Sequence, residues 1–257
     1  MAAETDGREL CKQLTLHVSG PKNNLVVWIN GLLSGKRTPA DVDVEIGDIV
    51  HVSDLLHHSA WVVQGHEKYI RFSSERAPNG YLIYADVGHG DTMIGYKPDY
   101  SIEESEFVNA VKDMDDLKVL DASACRRISS VEILSGLREL WVLDLRATRV
   151  SDLTPIMRMS NLRLLYVSST PVRDVSPLKY LAELRALDLR LTKVSDISPL
   201  ATLKKLKVLN LESTQVSSIS VLAHLERLEM LVLSKTKVSL LDMVYLNKQL
   251  PSCKIYQ

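Results

Sequence analysis

The stretch LRELWVLDLRATRV, residues 137–150, decides the fold, because four more like it follow without a gap: NLRLLYVSSTPV ending at Val172, ELRALDLRLTKV ending at Val194, KLKVLNLESTQV ending at Val216 and RLEMLVLSKTKV ending at Val238. Each reads L-x-x-L-x-L-x-x-T-x-V, with Val167 at the third apolar place of the second copy. The first Leu of the motif falls at 140, 162, 184, 206 and 228, a constant step of 22. A degraded copy begins at Leu117, with Leu120, Ala122 and Cys125 in the equivalent places, and a half-copy closes the chain at Leu250, Cys253 and Ile255. A fixed period of this length is the mark of a stacked repeat, in which one unit cannot bury its own apolar face and neighbours must supply the core.

Two residues apart on a short strand means the same face. Leu187 and Leu189 therefore point inward together, and the residues around them point out. The strand turns at a column of threonines, Thr148, Thr170, Thr192, Thr214 and Thr236, whose hydroxyls are suited to satisfy turn backbone groups. On the return leg, Pro199 marks a helical start, and Leu200, Leu203 and Leu206 recur at helical spacing over a turn or two.

The run T-x-V-S-D-I-S-P-L-x-x-L at Thr192–Leu203, with variants at Thr148–Ile156 and Thr170–Leu181, resembles the short 22-residue leucine-rich repeat of bacterial internalins and phosphatase-regulating repeat proteins. The resemblance covers about residues 106–257. It implies an α/β solenoid with a parallel β-sheet on its concave face, and a binding role without naming what is bound. Thr stands where many such repeats carry Asn, which alters the turn chemistry but not the fold.

The outward strand positions are expected in three columns. The first holds Val119, Val142, Leu164, Ala186, Val208, Met230 and Ser252. The second holds Asp121, Asp144, Tyr166, Asp188, Asn210, Val232 and Lys254. The third holds Ser123, Arg146, Ser168, Arg190, Glu212, Ser234 and Tyr256. The first is almost wholly apolar, and an exposed apolar stripe usually marks a contact surface. A protein partner is expected there, on Val142, Leu164, Tyr166, Val208, Met230 and Val232, bordered by Asp144, Arg146, Asp188, Arg190, Asn210 and Glu212, with Tyr166 as the aromatic anchor. The competing expectation is a stripe already covered by long neighbours or by the N-terminal domain, and salt bridges within the Asp144–Arg146 and Asp188–Arg190 pairs.

Ahead of the repeats, SIEESEFVNAVKDMDDL sets Phe107, Val111 and Met114 on one helical face, with Ser101 and Glu104 spaced as a capping box. Three parts follow: a β-rich or α+β domain over 1–100, a capping helix over 101–116 and the solenoid over 117–257. In the first, LVVWI, DIVHV, AWVVQ, KYIRF and YLIYADV read as strands between turn residues such as Pro78-Asn79-Gly80, and LCKQLTLHV reads as strand or helix.

One run in this domain carries chemistry. Gly47-Asp48-Ile49-Val50-His51-Val52 is followed by His58-Ser59-Ala60-Trp61-Val62-Val63, then Lys68-Tyr69-Ile70-Arg71-Phe72. It resembles the core of NlpC-type papain-like peptidases and lecithin–retinol acyltransferase-like proteins. That resemblance implies a thiol hydrolase or acyltransferase with Cys11 as nucleophile, His58 as base and Arg71 at the orienting place. Arg71 departs from the pattern, since a guanidinium donates and cannot accept the imidazole N–H. His51, His57, His66 and His89 form no pair at a recognised metal spacing, so neither metal nor cofactor is expected.

Composition sets the remaining bounds. The apolar share of 46% and charged share of 25% are those of a globular protein. No apolar run is long enough to span a bilayer, and MAAETDGREL has neither the basic nor the apolar part of a secretory signal. Three scattered cysteines, Cys11, Cys125 and Cys253, suit a reducing compartment, cytoplasmic or nuclear. Residues 1–105 carry 9 Lys and Arg against 15 Asp and Glu, whereas residues 106–257 carry 22 against 17. Neither half is basic enough to demand nucleic acid.

Overall fold

In a computed structural model, the described residues are 91–257 and, before them, 15–18, 26–29, 32–33, 49–53, 58–62 and 69–86, with side chains for 76–82 and 95–257. The chain divides into two compact units, Met1–Lys97 and Pro98–Gln257.

In the first unit the described elements are strands: β1 Thr15–Val18, β2 Val26–Ile29, β3 Leu32–Leu33, β4 Ile49–Ser53, β5 His58–Val62, β6 Tyr69–Ala77, β7 Gly80–Asp86 and β8 Asp91–Pro98. They fall into two groups, β3-β2-β4-β5 and β1-β6-β7-β8. A two-residue turn at Pro78-Asn79 joins β6 to β7, with Ala77 opposite Gly80. The Tyr96 hydroxyl donates to the Asn79 carbonyl at 2.8 Å and ties that turn to β8. The β3 and β8 strands lie outside the five runs read from sequence.

The second unit opens with helix α1, Glu104–Val111. Its cap is Glu103, whose N–H donates to Glu106 Oε2 at 3.2 Å, two residues later than the expected Ser101. Phe107 and Val111 are fully buried, and Met114 lies past the helix end. Glu104 accepts from Ser129 Oγ and from the Ser130 N–H, both at 2.9 Å, and so fastens the helix to the first repeat.

Seven parallel strands follow: β9 Val119–Asp121, β10 Val142–Asp144, β11 Leu164–Tyr166, β12 Ala186–Asp188, β13 Val208–Asn210, β14 Met230–Val232 and β15 Lys254–Tyr256. Pairing from β9 to β14 sets equivalent residues side by side, Leu165 beside Leu187 and Leu187 beside Leu209. The inward leucines are at most 1% exposed from Leu120 to Leu231. Each return leg up to residue 224 is a single five-residue 3-10 turn, such as Ser198–Thr202, and Pro155, Pro177 and Pro199 sit in the first turn where a missing N–H costs nothing. Asp152, Asp174 and Asp196 each accept the N–H two residues on, at 2.8 Å. The Thr154 hydroxyl and N–H hold the Asp152 carboxyl, and the Ser198 N–H and hydroxyl the Asp196 carboxyl, below the usual carboxylate range.

Every threonine of the column donates its hydroxyl to the carbonyl three residues back, at 2.6 to 2.7 Å. The residue before each one is left-handed: Ala147, Ser169, Leu191, Ser213 and Lys235, with φ between 56 and 59°, and Ala124 at 61° precedes Cys125. None is glycine, so each carries the steric cost of its Cβ.

The last return leg departs from the others. It is an α-helix, α2 Leu240–Gln249, begun by Ser239, whose Oγ accepts the Asp242 N–H at 3.1 Å. It lengthens the final unit, so Lys254 pairs with Met230 and Tyr256 with Val232. Lys254 and Tyr256 thus belong in the first and second columns, two places from the expected register, and Ser252 precedes the strand. Leu250 and Cys253 still close the core, at 6% and 5% exposure.

Two outcomes test this account. Leu209→Ala should cost about 2–5 kcal/mol in urea denaturation through lost burial and the cavity left behind; a loss below about 0.5 kcal/mol would place that leucine outside the core. Leu191 is half exposed at φ 58°. Leu191→Asn should therefore stabilise by about 0.5 kcal/mol and Leu191→Val should destabilise by about 1 kcal/mol, since Asn tolerates the left-handed region and a β-branched residue does not.

Candidate functional site

The sheet face opposite the 3-10 turns carries the expected columns, and it changes along the stack. Val119, Val142, Leu164 and Ala186 are at most 2% exposed and Val208 is 7% exposed, whereas Met230 is partly open. The apolar stripe is therefore closed over most of its length, as in the competing expectation and unlike the open stripe. Two taller rows contribute. On one side the Trp141 ring lies between Lys118 Nζ at 5.5 Å and the Arg163 guanidinium at 5.7 Å. On the other, the Arg146 guanidinium lies 5.3 Å from the centre of the Tyr166 ring. Short side chains between such rows lose contact with water.

The second column follows the same gradient. Asp121, Asp144 and Tyr166 are buried; Asp188, Asn210 and Val232 are partly open. Tyr166 is thus packed into the sheet surface instead of standing out as an anchor, and burial pushes its hydroxyl well up. Asp144 accepts from the Arg146 N–H at 3.0 Å and from its Nε at 2.9 Å, and pairs with Nη2 as well. Burial works against the Arg146 charge, but Asp144 beside it more than offsets this.

The next pair differs. Asp188 caps the Arg190 N–H at 3.0 Å, as Asp144 does for Arg146, yet the Arg190 side chain is exposed and forms no salt bridge among the described residues. Burial pushes the Asp188 carboxyl up, opposed by the Arg190 N–H and the Ser168 hydroxyl. Beyond it lie Asn210, whose Oδ1 accepts from the Glu212 N–H at 3.0 Å, and partly open Glu212, Met230 and Val232. Asp188, Arg190, Asn210, Glu212, Met230 and Val232 thus form one accessible surface across β12 to β14, with a charged side and an apolar end.

One row escaped the sequence reading. The residue just after the first Leu of the motif is Lys118, Trp141, Arg163, Arg185 and Lys207 in five successive copies. The alignment displays this basic run, but alternation within the strand gives no reason to look one residue ahead of it. All five side chains are partly open.

The triad implied for the first unit falls only partly within the described residues. Cys11 lies outside the described residues. His58 begins β5, opposite Ser53, while Arg71 lies on β6, opposite His17 and Asp86 in the other group of strands. Among the described strands, His58 and Arg71 are not pairing partners.

Comparison with known proteins finds a family match over part of the repeats. Residues 182–224 match the family of Leucine Rich repeats (2 copies). These are leucine-rich repeats. Among solved structures, the chain is similar to internalin C2 from Listeria monocytogenes, with 28% identity, a TM-score of 0.55, and coverage of 63% of this chain and 71% of that one. It is similar in fold to an internalin (inlF) from the same organism, at 24% identity, a TM-score of 0.53, and 57% and 42% coverage. A leucine-rich repeat protein of Leptospira interrogans gives 22% identity, a TM-score of 0.55, and 61% and 40% coverage. The likeness thus spans less than half of the last two proteins. No curated protein matches the chain. Among the described residues no helix is long and apolar enough to cross a membrane.

The raised carboxyl of Asp188 has a measurable consequence. As pH rises from its unfolded toward its folded titration range, the native state keeps a proton that the unfolded chain has released, so stability falls. Asp188→Asn removes that cost and can still cap Arg190. The variant should be more stable than the parent at pH 7, with the difference vanishing below the carboxylate range. A difference independent of pH in thermal melts would assign the effect to packing instead.

Proposed function

We propose that this chain is a protein-interaction module, a scaffold or adaptor that holds a protein partner on the concave face of its leucine-rich repeats. The observation that carries this reading is the open surface on β12 to β14. Met230 and Val232 offer an apolar patch, and Asp188, Arg190, Asn210 and Glu212 border it with polar and charged groups, as protein interfaces are built. Arg190 is free to pair outward, whereas its counterpart Arg146 is spent on Asp144. Val142, Leu164 and Tyr166, with the Asp144–Arg146 pair, continue the same sheet beside this surface, and Val208 lies within it. Repeats of this family suit such a role because the stack presents one residue type after another at fixed spacing.

In the same reading the protein works in a reducing compartment, cytoplasmic or nuclear. The buried thiols of Cys125 and Cys253, neither in a disulfide, support that, with burial raising Cys253 to about 11 and keeping it in the unreactive thiol form.

Affinity capture from native lysate tests the proposal when the parent chain is compared with a Met230→Asp, Val232→Asp double variant. A protein retained by the parent and lost from a variant that melts as a folded chain is the expected result. Equal retention by both would remove this face from the interaction.

A further inference from the structure

The row just ahead of the strands carries four basic residues and Trp141. Its outer cations are neutralised internally. Lys118 Nζ pairs with Glu139 at 2.8 Å, and Lys207 Nζ pairs with Glu229 at 3.1 Å. Between them Arg163 and Arg185 occupy equivalent places on adjacent strands, about 4.8 Å apart in the sheet direction. The acid that bears on Arg163, Glu183, is held by Lys205 through both carboxylate oxygens, at 2.6 and 2.8 Å. Arg163 Nε is buried without a hydrogen-bond partner, and the Trp141 ring centre lies 5.7 Å from the guanidinium. Burial and the neighbouring Arg185 charge both lower its hold on the proton. Like charges side by side across a sheet are destabilising, and so is a buried donor left unmade. Gln or Met at 163 would avoid both costs.

With that donor unmet and the rest of the side chain partly open, Arg163 can take an acceptor from outside the chain. We propose that Arg163, with Trp141 and Arg185 on the flanking strands, is the docking point for a carboxylate side chain on an acidic segment of a protein partner. Arg suits this because its fork accepts a carboxylate on two parallel N–H donors. The Trp141 ring, 5.7 Å from the guanidinium, helps to hold that fork in place. The setting selects an acidic peptide over a continuous polyanion. Glu139, Glu183 and Glu229 line the same border, and a phosphate backbone running along it would meet them in turn. A segment with separated carboxylates would not. This inference rests on the reading of the repeats as a protein-binding module and names the chemistry of part of the partner.

The test uses the full chain and a labelled peptide with Asp at alternate positions, followed by fluorescence anisotropy. Binding should be detectable at low salt and should weaken as salt rises. Arg163→Gln should weaken it about tenfold, the worth of a lost charge-assisted pair, and should leave melting unchanged or raise it. Arg185→Gln probes the same point through the neighbouring strand and should also weaken binding, which covers the case of a poorly folded first variant. The paired change Lys193→Gln, Lys237→Gln removes exposed charges beyond the threonine column and should leave the affinity within about twofold. Equal weakening by that control would reduce the effect to net charge and overturn the proposal. So would binding of single-stranded RNA as tight as that of the peptide, or an affinity indifferent to Arg163 and Arg185. If those results came with capture that still depends on Met230 and Val232, this inference would fall and the interaction module would stand.

Discussion

The solenoid depends on a backbone hydrogen-bond ladder that runs from each repeat to the next well beyond the three-residue strands. It begins ahead of the strand, where the Trp141 carbonyl accepts from both Arg163 and Leu164 N–H groups, at 2.8 and 2.9 Å. It continues through Leu145 to Tyr166 and Val167 to Asp188, then into the left-handed residues, where Ala147 donates to Ser168 and Ser169 to Arg190. Past the threonine it resumes, with Lys193 donating to Val172 and Gln215 to Val194, both at 2.9 Å. At Pro171 the chain has no N–H to give, so that rung is missing. A ladder this long tolerates no change in the spacing of strand, turn and threonine within a unit. It fixes the register of strand and corner from one unit to the next, and the leucines meet their copies in that register.

The left-handed turn follows from the same requirement. For the N–H of Leu191 to reach Glu212 in the next unit at 2.9 Å, the chain must swing out of the strand before the threonine closes the corner on the Leu189 carbonyl. Five such corners with a threonine, and one with Cys125, accept the steric cost without resort to glycine. Cys125 also differs in its side chain, whose Sγ lies 3.5 Å from the Asp99 carbonyl in the segment leading into α1. The first corner thus serves the cap, and its departure from threonine is a consequence of having no preceding repeat.

The parts of this architecture that repeat were legible in the sequence, and the parts that depend on the ends were not. Strand register from β9 to β14, the threonine hydroxyls and the proline-led 3-10 turns all follow from one pattern applied unit by unit. The terminal strand does not. Leu250 continues the spacing of 22, but α2 takes up more chain than a 3-10 turn, and the pairing moves by two residues. The binding face was legible in direction only. Alternation tells which way Val142 and Leu164 point, but not that they are shut away from water, since that depends on the height of Trp141, Arg163 and Tyr166 around them. Arg163 was hidden for a related reason: it stands one residue outside the strand, where no periodic rule assigns a face.

The corner residues have a bearing on how such a protein can change over time. They lie at the rim, apart from the concave columns, and each is a separate site where one substitution relaxes a local strain. Stability can therefore be gained at Ser213 or Lys235 without altering a side chain that a partner would touch. Damaging changes on the face can be offset in increments from a reservoir physically remote from it. A repeat stack of this kind carries its tolerance for innovation in its turns.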